Sequence, residues 1–344
     1  MAAEGEGEVI PVWYLYRGEE GEIIPRDATH ILVDKSCTLV RAHAFLRHPN
    51  IVEVICHDKV KRIEECAFFE CPRLRRVIMP GVKIIEEDAF FDCGALTDVE
   101  CDKLEIIKEG AFKECESLRS INLPSAKIVE QFAFSRCKAL TDVKFGSKLE
   151  RIEGEAFFKC TSLERITIPL RDGIINADGT FQACENLKHV DLIEDEEGEL
   201  HETIAALHLE EWRNEMNEEI DSINRILPTS NAGFYDDFSA WDDGDNGEKA
   251  RVIRTWIRTV LGKIINYQAE HQRFLNEGAT TLQHVLPQDI VMNNVLSFLE
   301  LPSHTFEVEG DEDEDNRDSS YSEGSSSEGE ESEMEEDDRE EQDE

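Results

Sequence analysis

Basic residues are scarce in this chain, which has 36 Lys and Arg against 77 Asp and Glu and a formal net charge of −41 at pH 7. A field this negative repels nucleic acids and the anionic surface of membranes. The sequence also lacks any run of about 18 apolar residues, the length at which a membrane-spanning helix becomes a candidate. Direct nucleic-acid binding and membrane insertion are therefore not expected.

Sequence signatures of catalysis are missing as well. The chain has no G-x-G-x-x-G, P-loop, H-E-x-x-H, nucleophile-elbow or kinase motif. Its ten histidines form no spaced set with a carboxylate and a nucleophile. We therefore predict a protein that is not an enzyme and that uses no cofactor.

The first 30 residues lack the basic start and apolar core of a secretory signal. Without such a signal, the ten cysteines are expected to be mostly reduced thiols. The expectation is an intracellular protein of the cytoplasm or the nucleus.

What the chain does have is an internal repeat. Seven copies align on a phenylalanine, with successive copies 22 to 24 residues apart: Phe45, Phe68, Phe90, Phe112, Phe134, Phe157 and Phe181. Three residues after the phenylalanine stands a cysteine in six copies and His48 in the first. A fixed period in the twenties is typical of a solenoid, in which each coil buries its apolar face only against neighbouring coils.

Each copy carries a short alternating segment, such as RRVIMP or ERITIP, that predicts a β-strand. The inward positions are expected to be pairs such as Val77 and Met79. The side chains between them are expected on the outer face of a parallel sheet, where we predict that a protein partner binds. The candidate residues are Arg76, Ile78, Asp98, Glu100, Asn122, Asp142, Lys144, Arg165, His189 and Asp191.

The regular cysteines are compatible with a ladder of disulfides or soft-metal sites, but we predict that they are core residues. Cysteine is small, apolar and among the most frequently buried residue types. Zinc sites usually take two ligands a few residues apart on one element, and only Cys66 and Cys71 are that close. No metal site is predicted.

The recurring Ala-Phe-x-x-Cys-x-x-Leu segments resemble the BspA-type leucine-rich repeat family over about residues 37–192: AFFECPRL, AFFDCGAL, AFKECESL, AFSRCKAL and AFFKCTSL. The seventh copy departs from this pattern, with TFQACENL after a longer lead-in. The whole chain is similar to intracellular leucine-rich repeat proteins of unicellular eukaryotes. The resemblance implies an α/β repeat solenoid with short parallel strands.

We predict four segments along the chain: an N-terminal β cap at 1–35, the solenoid at 36–193, an α-helical hairpin domain at 199–301, and a disordered acidic tail at 302–344. The period changes from two to 3.6 after the linker EDEEG at 194–198, and the chain turns acidic at Glu307. The aromatic residues of VWYLY are expected to cover the exposed end of the first coil.

Helical periodicity replaces the strand pattern after the solenoid. It predicts one long helix that ends at Pro228, with one face formed by Leu209, Trp212, Met216, Ile220, Ile223 and Leu227. A second helix is expected from about Glu248 toward Leu286. Heptad-like apolar seams of this kind are usually buried against a partner helix. The partner is either the other helix of the hairpin or, by coiled-coil association, a helix of another chain.

Two functions stay open at this point. The first is a non-catalytic protein–protein interaction scaffold that uses the sheet face. The second is a substrate adaptor of a ubiquitin ligase, because LPQDIVMNNVLSFLEL at 286–301 resembles the opening of an F-box.

The tail from Glu307 to Glu344 contains 21 Asp and Glu but two Arg. It cannot bury a core, so it is predicted to be disordered and to hold basic proteins. Glutamate three residues after a serine is similar to the preference of acidophilic kinases. Phosphorylation is therefore predicted at Ser320, Ser325, Ser327 and Ser332.

Overall fold

The repeats coil into a solenoid of parallel strands that is followed by helices, as the repeat pattern predicts. In a computed structural model of the chain, the described residues are 11–193, 199–207, 209–228, 247–286 and 308. The four candidate phosphorylation sites, the acidic tail except Val308, and the F-box-like segment except Leu286 lie outside the described residues.

The longer strands of the coils form two parallel sheets with a break after the fifth strand. Sheet A has the order β1-β2-β4-β6-β8, with strands Trp13–Tyr16, His30–Val33, Glu53–Ile55, Arg76–Ile78 and Asp98–Glu100. Sheet C has the order β10-β12-β14-β15, with strands Ser120–Leu123, Asp142–Phe145, Arg165–Pro169 and His189–Ile193. Val77 and Val143 are buried while Arg76 and Lys144 are exposed, so the predicted alternation is confirmed.

A second, shorter strand in each coil forms sheet B, which the sequence does not predict. Its six strands are β3 Leu39–Val40, β5 Arg62–Ile63, β7 Ile84–Ile85, β9 Ile106–Ile107, β11 Ile128–Val129 and β13 Arg151–Ile152. The second residue of every strand is fully buried and lies five residues before the repeat phenylalanine. Each coil therefore has two walls, and the core lies between them.

The repeat phenylalanines stack in one column through the core. The centroids of consecutive rings, from Phe45 to Phe181, are 4.8 to 5.6 Å apart, with interplanar angles of 3 to 15°. The coil-to-coil spacing of parallel strands, about 4.8 Å, sets this distance. Because every ring is buried, the column forms the continuous apolar core that the period predicts.

The repeat cysteines are core residues with a further role that the sequence does not reveal. Each thiol donates a hydrogen bond to the carbonyl of the repeat phenylalanine one coil earlier, at Sγ–O distances of 3.0 to 3.2 Å, from Cys71, Cys93, Cys115, Cys137, Cys160 and Cys184. In the first coil His48 takes the cysteine position, and its Nε2 bonds to Pro25 O at 3.0 Å. Cysteine thus satisfies a buried acceptor while remaining small enough for the core.

The turns beside the phenylalanine column require left-handed backbone. Among the described residues, twelve that are not glycine have positive φ, and each lies two residues before or after a repeat phenylalanine: His43, Arg47, Cys66, Glu70, Asp88, Asp92, Glu114, Phe132, Arg136, Glu155, Lys159 and Ala183. This conformation costs about 1–2 kcal/mol for a residue with a Cβ. Inter-coil hydrogen bonds such as Arg47 N–H to Phe69 O, at 2.8 Å, stabilise it. The turns therefore depend on neighbouring coils.

Tyr16 covers the N-terminal end of the phenylalanine column. Its ring centroid is 5.1 Å from that of Phe45, and its hydroxyl oxygen accepts a hydrogen bond from Arg41 N–H at 3.0 Å. Tyr16 is buried, Tyr14 is half-buried and Trp13 is 52% exposed. Of the three aromatic residues in β1, Tyr16 is the one that closes the core.

The prediction of one long helix ending at Pro228 is wrong. The structure has α1 Glu199–Ala206, α2 Glu210–Ile220, α3 Ile223–Ile226 and, later in the chain, α4 Glu248–Gln283. The chain turns between α2 and α3, where Ser222 N–H and Ser222 Oγ–H donate to Glu219 O at 3.1 and 2.7 Å. Serine side chains compete in this way with regular helical bonding.

The helices close the C-terminal end of the solenoid. The Asn224 side chain accepts a hydrogen bond from Val190 N–H of β15 at 2.9 Å. Lys249 is buried at the start of α4, and its Nζ donates to the carbonyls of Cys184, Glu185 and Leu187 at 2.5 to 3.3 Å. In earlier coils the following coil bonds to the carbonyl equivalent to that of Glu185, as Ala139 N–H does to Glu116 O and Asn186 Nδ2 to Thr161 O. The helices therefore take the place of an eighth coil.

Gly247 permits the close approach of α4 to the last coil. It has φ +71°, and a Cβ on it would lie 2.4 Å from Asp178 O. Arg251 and Arg254, in the next turns of α4, form ion pairs with the Asp178 carboxylate. A glycine is required here both by its backbone angle and by space.

Helix α4 also packs against α2. The rings of Trp212 and Tyr267 stack with centroids 4.9 Å apart, and Trp256 Nε1–H donates to Glu219 O at 2.9 Å. Although α4 has 36 residues, neither it nor any other described helix is sufficiently apolar over a sufficient length to cross a membrane.

Charged side chains form inter-coil bridges on the surface, and one of them predicts a pH effect. Hydrogen bonds from Lys83 and Lys127, one coil before and one coil after, lower the pKa of Glu105 from 4.5 to about 2. Because the folded chain favours the ionised carboxylate, its contribution to stability is present above pH 4.5 and disappears as the pH falls toward 2.

We expect the urea midpoint of the wild-type chain to fall more steeply between about pH 5 and pH 2 than that of Glu105→Gln. The matched control is Glu116→Gln, which removes a carboxylate paired with a single lysine, Lys138. Parallel pH profiles for the wild type and Glu105→Gln would show that this bridge does not contribute.

Candidate protein-binding face

The outer face of sheet A carries two rows of side chains in register across its five strands. The first row contains Trp13, His30, Glu53, Arg76 and Asp98. The second row contains Leu15, Leu32, Ile55, Ile78 and Glu100. Four of the five positions in the second row are therefore aliphatic.

The aliphatic row is open to solvent at its N-terminal end. Leu15 is 38% exposed and Leu32 is 44% exposed, while Ile55 and Ile78 are half-buried. Trp13, in the adjoining row, is 52% exposed, and its ring centroid lies 4.8 Å from that of His30. We call these five residues, Trp13, Leu15, Leu32, Ile55 and Ile78, the apolar patch. Contiguous exposed apolar surface of this kind marks interaction sites.

An ionic cluster borders the apolar patch. The Arg76 guanidinium contacts the carboxylates of Glu53, Asp98 and Glu100 at 3.4, 3.0 and 2.6 Å. Three carboxylates surround one cation, so this edge of the patch is negative. All four side chains remain partly exposed, so they can exchange these contacts for others at low cost.

The outer face of sheet C is polar. Its rows contain Ser120, Asp142, Arg165 and His189, and Asn122, Lys144, Thr167 and Asp191. Arg165 forms an ion pair with Asp191, and Lys144 lies 3.5 Å from Asp142. Much of the charge on this face is therefore paired within the face itself.

The candidate residues from the sequence lie on the outer faces of two different sheets. Arg76, Ile78, Asp98 and Glu100 are on sheet A, whereas sheet C carries Asn122, Asp142, Lys144, Arg165, His189 and Asp191. Sequence reasoning missed Trp13, Leu15 and Leu32 of the apolar patch because it assigned residues 1–35 to a separate cap. The alternation in WYLY and HILV was the available signal, since both segments continue sheet A.

The thiols of the core are not suited to nucleophilic chemistry. Burial raises the pKa of Cys56 and of Cys101 to about 12, and it also raises the pKa values of Cys93, Cys115 and Cys160. Reactive cysteines need the opposite shift, because the thiolate is the nucleophile. Cys93, Cys115 and Cys160 instead act as protonated hydrogen-bond donors within the core.

A second group of side chains lies at the turns of the first two repeat coils, away from sheet A. His43, Glu65 and Cys66 bring an imidazole nitrogen, a carboxylate oxygen and a sulfur atom within 4.8 Å of one another. His43 and Glu65 are exposed and Cys66 is half-buried. Along the sequence, Cys71 is the only cysteine within a few residues of Cys66. The fold places Cys66 beside His43.

Solved structures of leucine-rich repeat proteins are similar to this chain. A leucine-rich repeat protein from Bacteroides ovatus has 20% sequence identity, covering 49% of this chain and 53% of that chain with a TM-score of 0.35. A leucine-rich repeat protein from T. pallidum has 22% sequence identity, covering 53% of this chain and 69% of that chain with a TM-score of 0.34. The chain thus spans about half the length of the B. ovatus protein, 53%.

A leucine-rich cell surface protein from Faecalibacterium prausnitzii is also similar, with 20% identity, coverage of 50% of this chain and 61% of that chain, and a TM-score of 0.33. No curated protein matches the chain.

The family described as the BspA type leucine rich repeat region matches residues 38–126 and 105–202 in six copies. These residues contain the phenylalanine column, the thiol-to-carbonyl bonds and most of the three sheets. The repeat region of this chain belongs to the BspA-type leucine-rich repeat family.

Proposed function

We propose that the chain is a non-catalytic protein–protein interaction scaffold that binds a partner through the outer face of sheet A. The observation that carries the proposal is the apolar patch, in which Leu15, Leu32, Ile55 and Ile78 lie in register on four consecutive strands. Removing such side chains from water yields about 25 cal/mol per Å² of apolar area.

The position of the patch on a sheet favours binding without rearrangement. Backbone ladders fix β1, β2, β4 and β6, so docking does not require a loop to be ordered. The carboxylates around Arg76 favour a partner whose apolar segment is followed by a basic residue. The net charge of −41 favours the same class of partner and accelerates its association.

The experiment compares two glutamate substitutions in corresponding rows of sheets A and C. Leu32→Glu places a charge within the apolar patch, whereas Asn122→Glu adds the same charge on the exposed face of sheet C. Quantitative affinity purification from the source cells should lose partners with Leu32→Glu and retain them with Asn122→Glu. Unfolding curves establish that both variants are folded. Equal recovery of every partner by the two variants would contradict the proposal.

The alternative function is a ubiquitin-ligase adaptor, and it is favoured by the F-box-like sequence at 286–301. Affinity purification with a variant truncated after Val285, compared with the full chain, distinguishes the two functions. Selective loss of ligase components would support the adaptor function, whereas an unchanged set of partners would support a scaffold that acts through sheet A alone.

The acidic tail extends the proposal to basic proteins inside the cell, in the cytoplasm or the nucleus. Each phosphate on Ser320, Ser325, Ser327 or Ser332 would add a charge of about −1.5 to −2 and strengthen this attraction. Deleting residues 307–344 should weaken the binding of a basic partner at low salt. It should leave the thermal unfolding of the chain unchanged. A deletion that alters no interaction would exclude this role.

A further inference from the structure

We propose that His43, Glu65 and Cys66 bind a divalent metal ion of borderline softness, with zinc as the preferred ion. The site lies at the outer turns of the first two repeat coils, on the coil of β3 and the coil of β5. It is separate from the apolar patch and does not depend on the proposed function.

Backbone hydrogen bonds between coils fix the positions of the residues that carry the three donor atoms. His43 and Cys66 occupy equivalent positions of consecutive turns, with φ +58° and +52°. His43 N–H donates to Glu65 O at 3.1 Å, and Cys66 N–H donates to Glu87 O in the following coil at 3.0 Å. Ordinary side-chain rotation can bring the three donor atoms, already within 4.8 Å of one another, to the separations of a metal complex.

The chemistry of the donors selects the ion. Zinc takes sulfur at about 2.3 Å, imidazole nitrogen at about 2.0–2.1 Å and carboxylate oxygen at about 2.0–2.2 Å. Magnesium and calcium prefer an all-oxygen set, which this site does not offer. Because His43 and Glu65 are exposed, water or a ligand can reach the fourth position.

The surroundings of the three donors attract a cation. Glu65, Glu87 and Glu109 occupy equivalent positions in three consecutive coils, and Asp88 follows Cys66 at the equivalent turn position. Carboxylates at equivalent positions of neighbouring coils lie near one another, because stacked coils are about 4.8 Å apart. Like charges held this close destabilise one another, and a bound cation would relieve that repulsion.

Cys66 differs from the other nine cysteines of the chain. Each of the nine is buried, whereas Cys66 is half-buried at a turn and lies outside the repeat position that donates to a phenylalanine carbonyl. A core role therefore does not account for it. On metal binding, Cys66 would lose its thiol proton to solvent and the sulfur would coordinate as thiolate, with no change of oxidation state.

Cobalt(II) is the probe, because a thiolate ligand gives it a near-ultraviolet charge-transfer band that carboxylates do not give. The full chain, without an affinity tag and stripped by a chelator, should bind one equivalent with this band, and zinc should displace it. Cys66→Ser should lose the band, and His43→Ala should weaken binding about tenfold or more. His189→Ala, which removes an exposed histidine on sheet C, is the matched control and should bind as the wild type does.

Circular dichroism establishes that the variants are folded. A wild-type chain without the band would overturn the proposal, as would a band that survives in Cys66→Ser. Unchanged affinity in a folded His43→Ala variant would exclude the imidazole ligand and with it the site. None of these outcomes bears on partner binding, which Leu32→Glu tests.

Discussion

Replacing Lys249 by Met is expected to lower the free energy of unfolding by about 2–3 kcal/mol, because charged donors to buried acceptors contribute at this level. The ammonium is buried and donates to three carbonyls of the last coil, those of Cys184, Glu185 and Leu187. Methionine fills a similar volume but removes the charged donor that these three carbonyls share. Urea unfolding followed by circular dichroism measures the change.

Lys263→Met is the matched control on the same helix. Lys263 is partly exposed and pairs with Glu215 and Glu219 at 3.1 and 2.8 Å. Surface pairs of this kind contribute about 1 kcal/mol or less. If the two substitutions had the same small effect, α4 would not be holding the end of the solenoid.

Replacing Phe112 by Ala should have the larger effect, a loss of about 3–5 kcal/mol in the free energy of unfolding. The ring is fully buried at the centre of the column. Its centroid lies 5.2 Å from the ring centroid of Phe90 and 5.4 Å from that of Phe134. Its removal leaves a cavity that rigid ladders on both walls prevent from closing. Because each coil is stabilised only by its neighbours, the array should also lose cooperativity.

The control for Phe112→Ala is Phe158→Ala, which removes a half-buried ring at the turn of a later coil. Phe158→Ala should lower the free energy of unfolding by clearly less than Phe112→Ala does, since it empties little core volume. Equal losses for the two variants in urea unfolding would contradict a core built on the phenylalanine column.

The parts of the fold that repeat could be predicted from the sequence. The positions of Phe112, Cys115 and Val143 recur in every coil, so one period specifies the burial of the whole column. Sheet B could not be predicted in this way, because two residues per strand are too few to show an alternation. The break between sheets A and C has no sequence signal that we recognise.

The structures that close the two ends of the solenoid could not be predicted from the sequence. Lys249 contacts a carbonyl 65 residues earlier in the chain, and nothing local distinguishes it from other helical lysines. The turn at Ser222 was hidden by a helical pattern that continues across it. The apolar patch was missed for a related reason, since β1 and β2 lie outside the seven copies but extend the same sheet.

Hydroxyl-radical footprinting of the chain alone and with a purified partner tests the central claim most directly. Trp13 and Leu32, which are 52% and 44% exposed in the chain alone, should lose most of their oxidation in the complex. Phe274 of α4, which is 55% exposed, should keep its reactivity. Unchanged oxidation of Trp13 and Leu32, with protection confined to sheet C or to α4, would contradict binding through the outer face of sheet A.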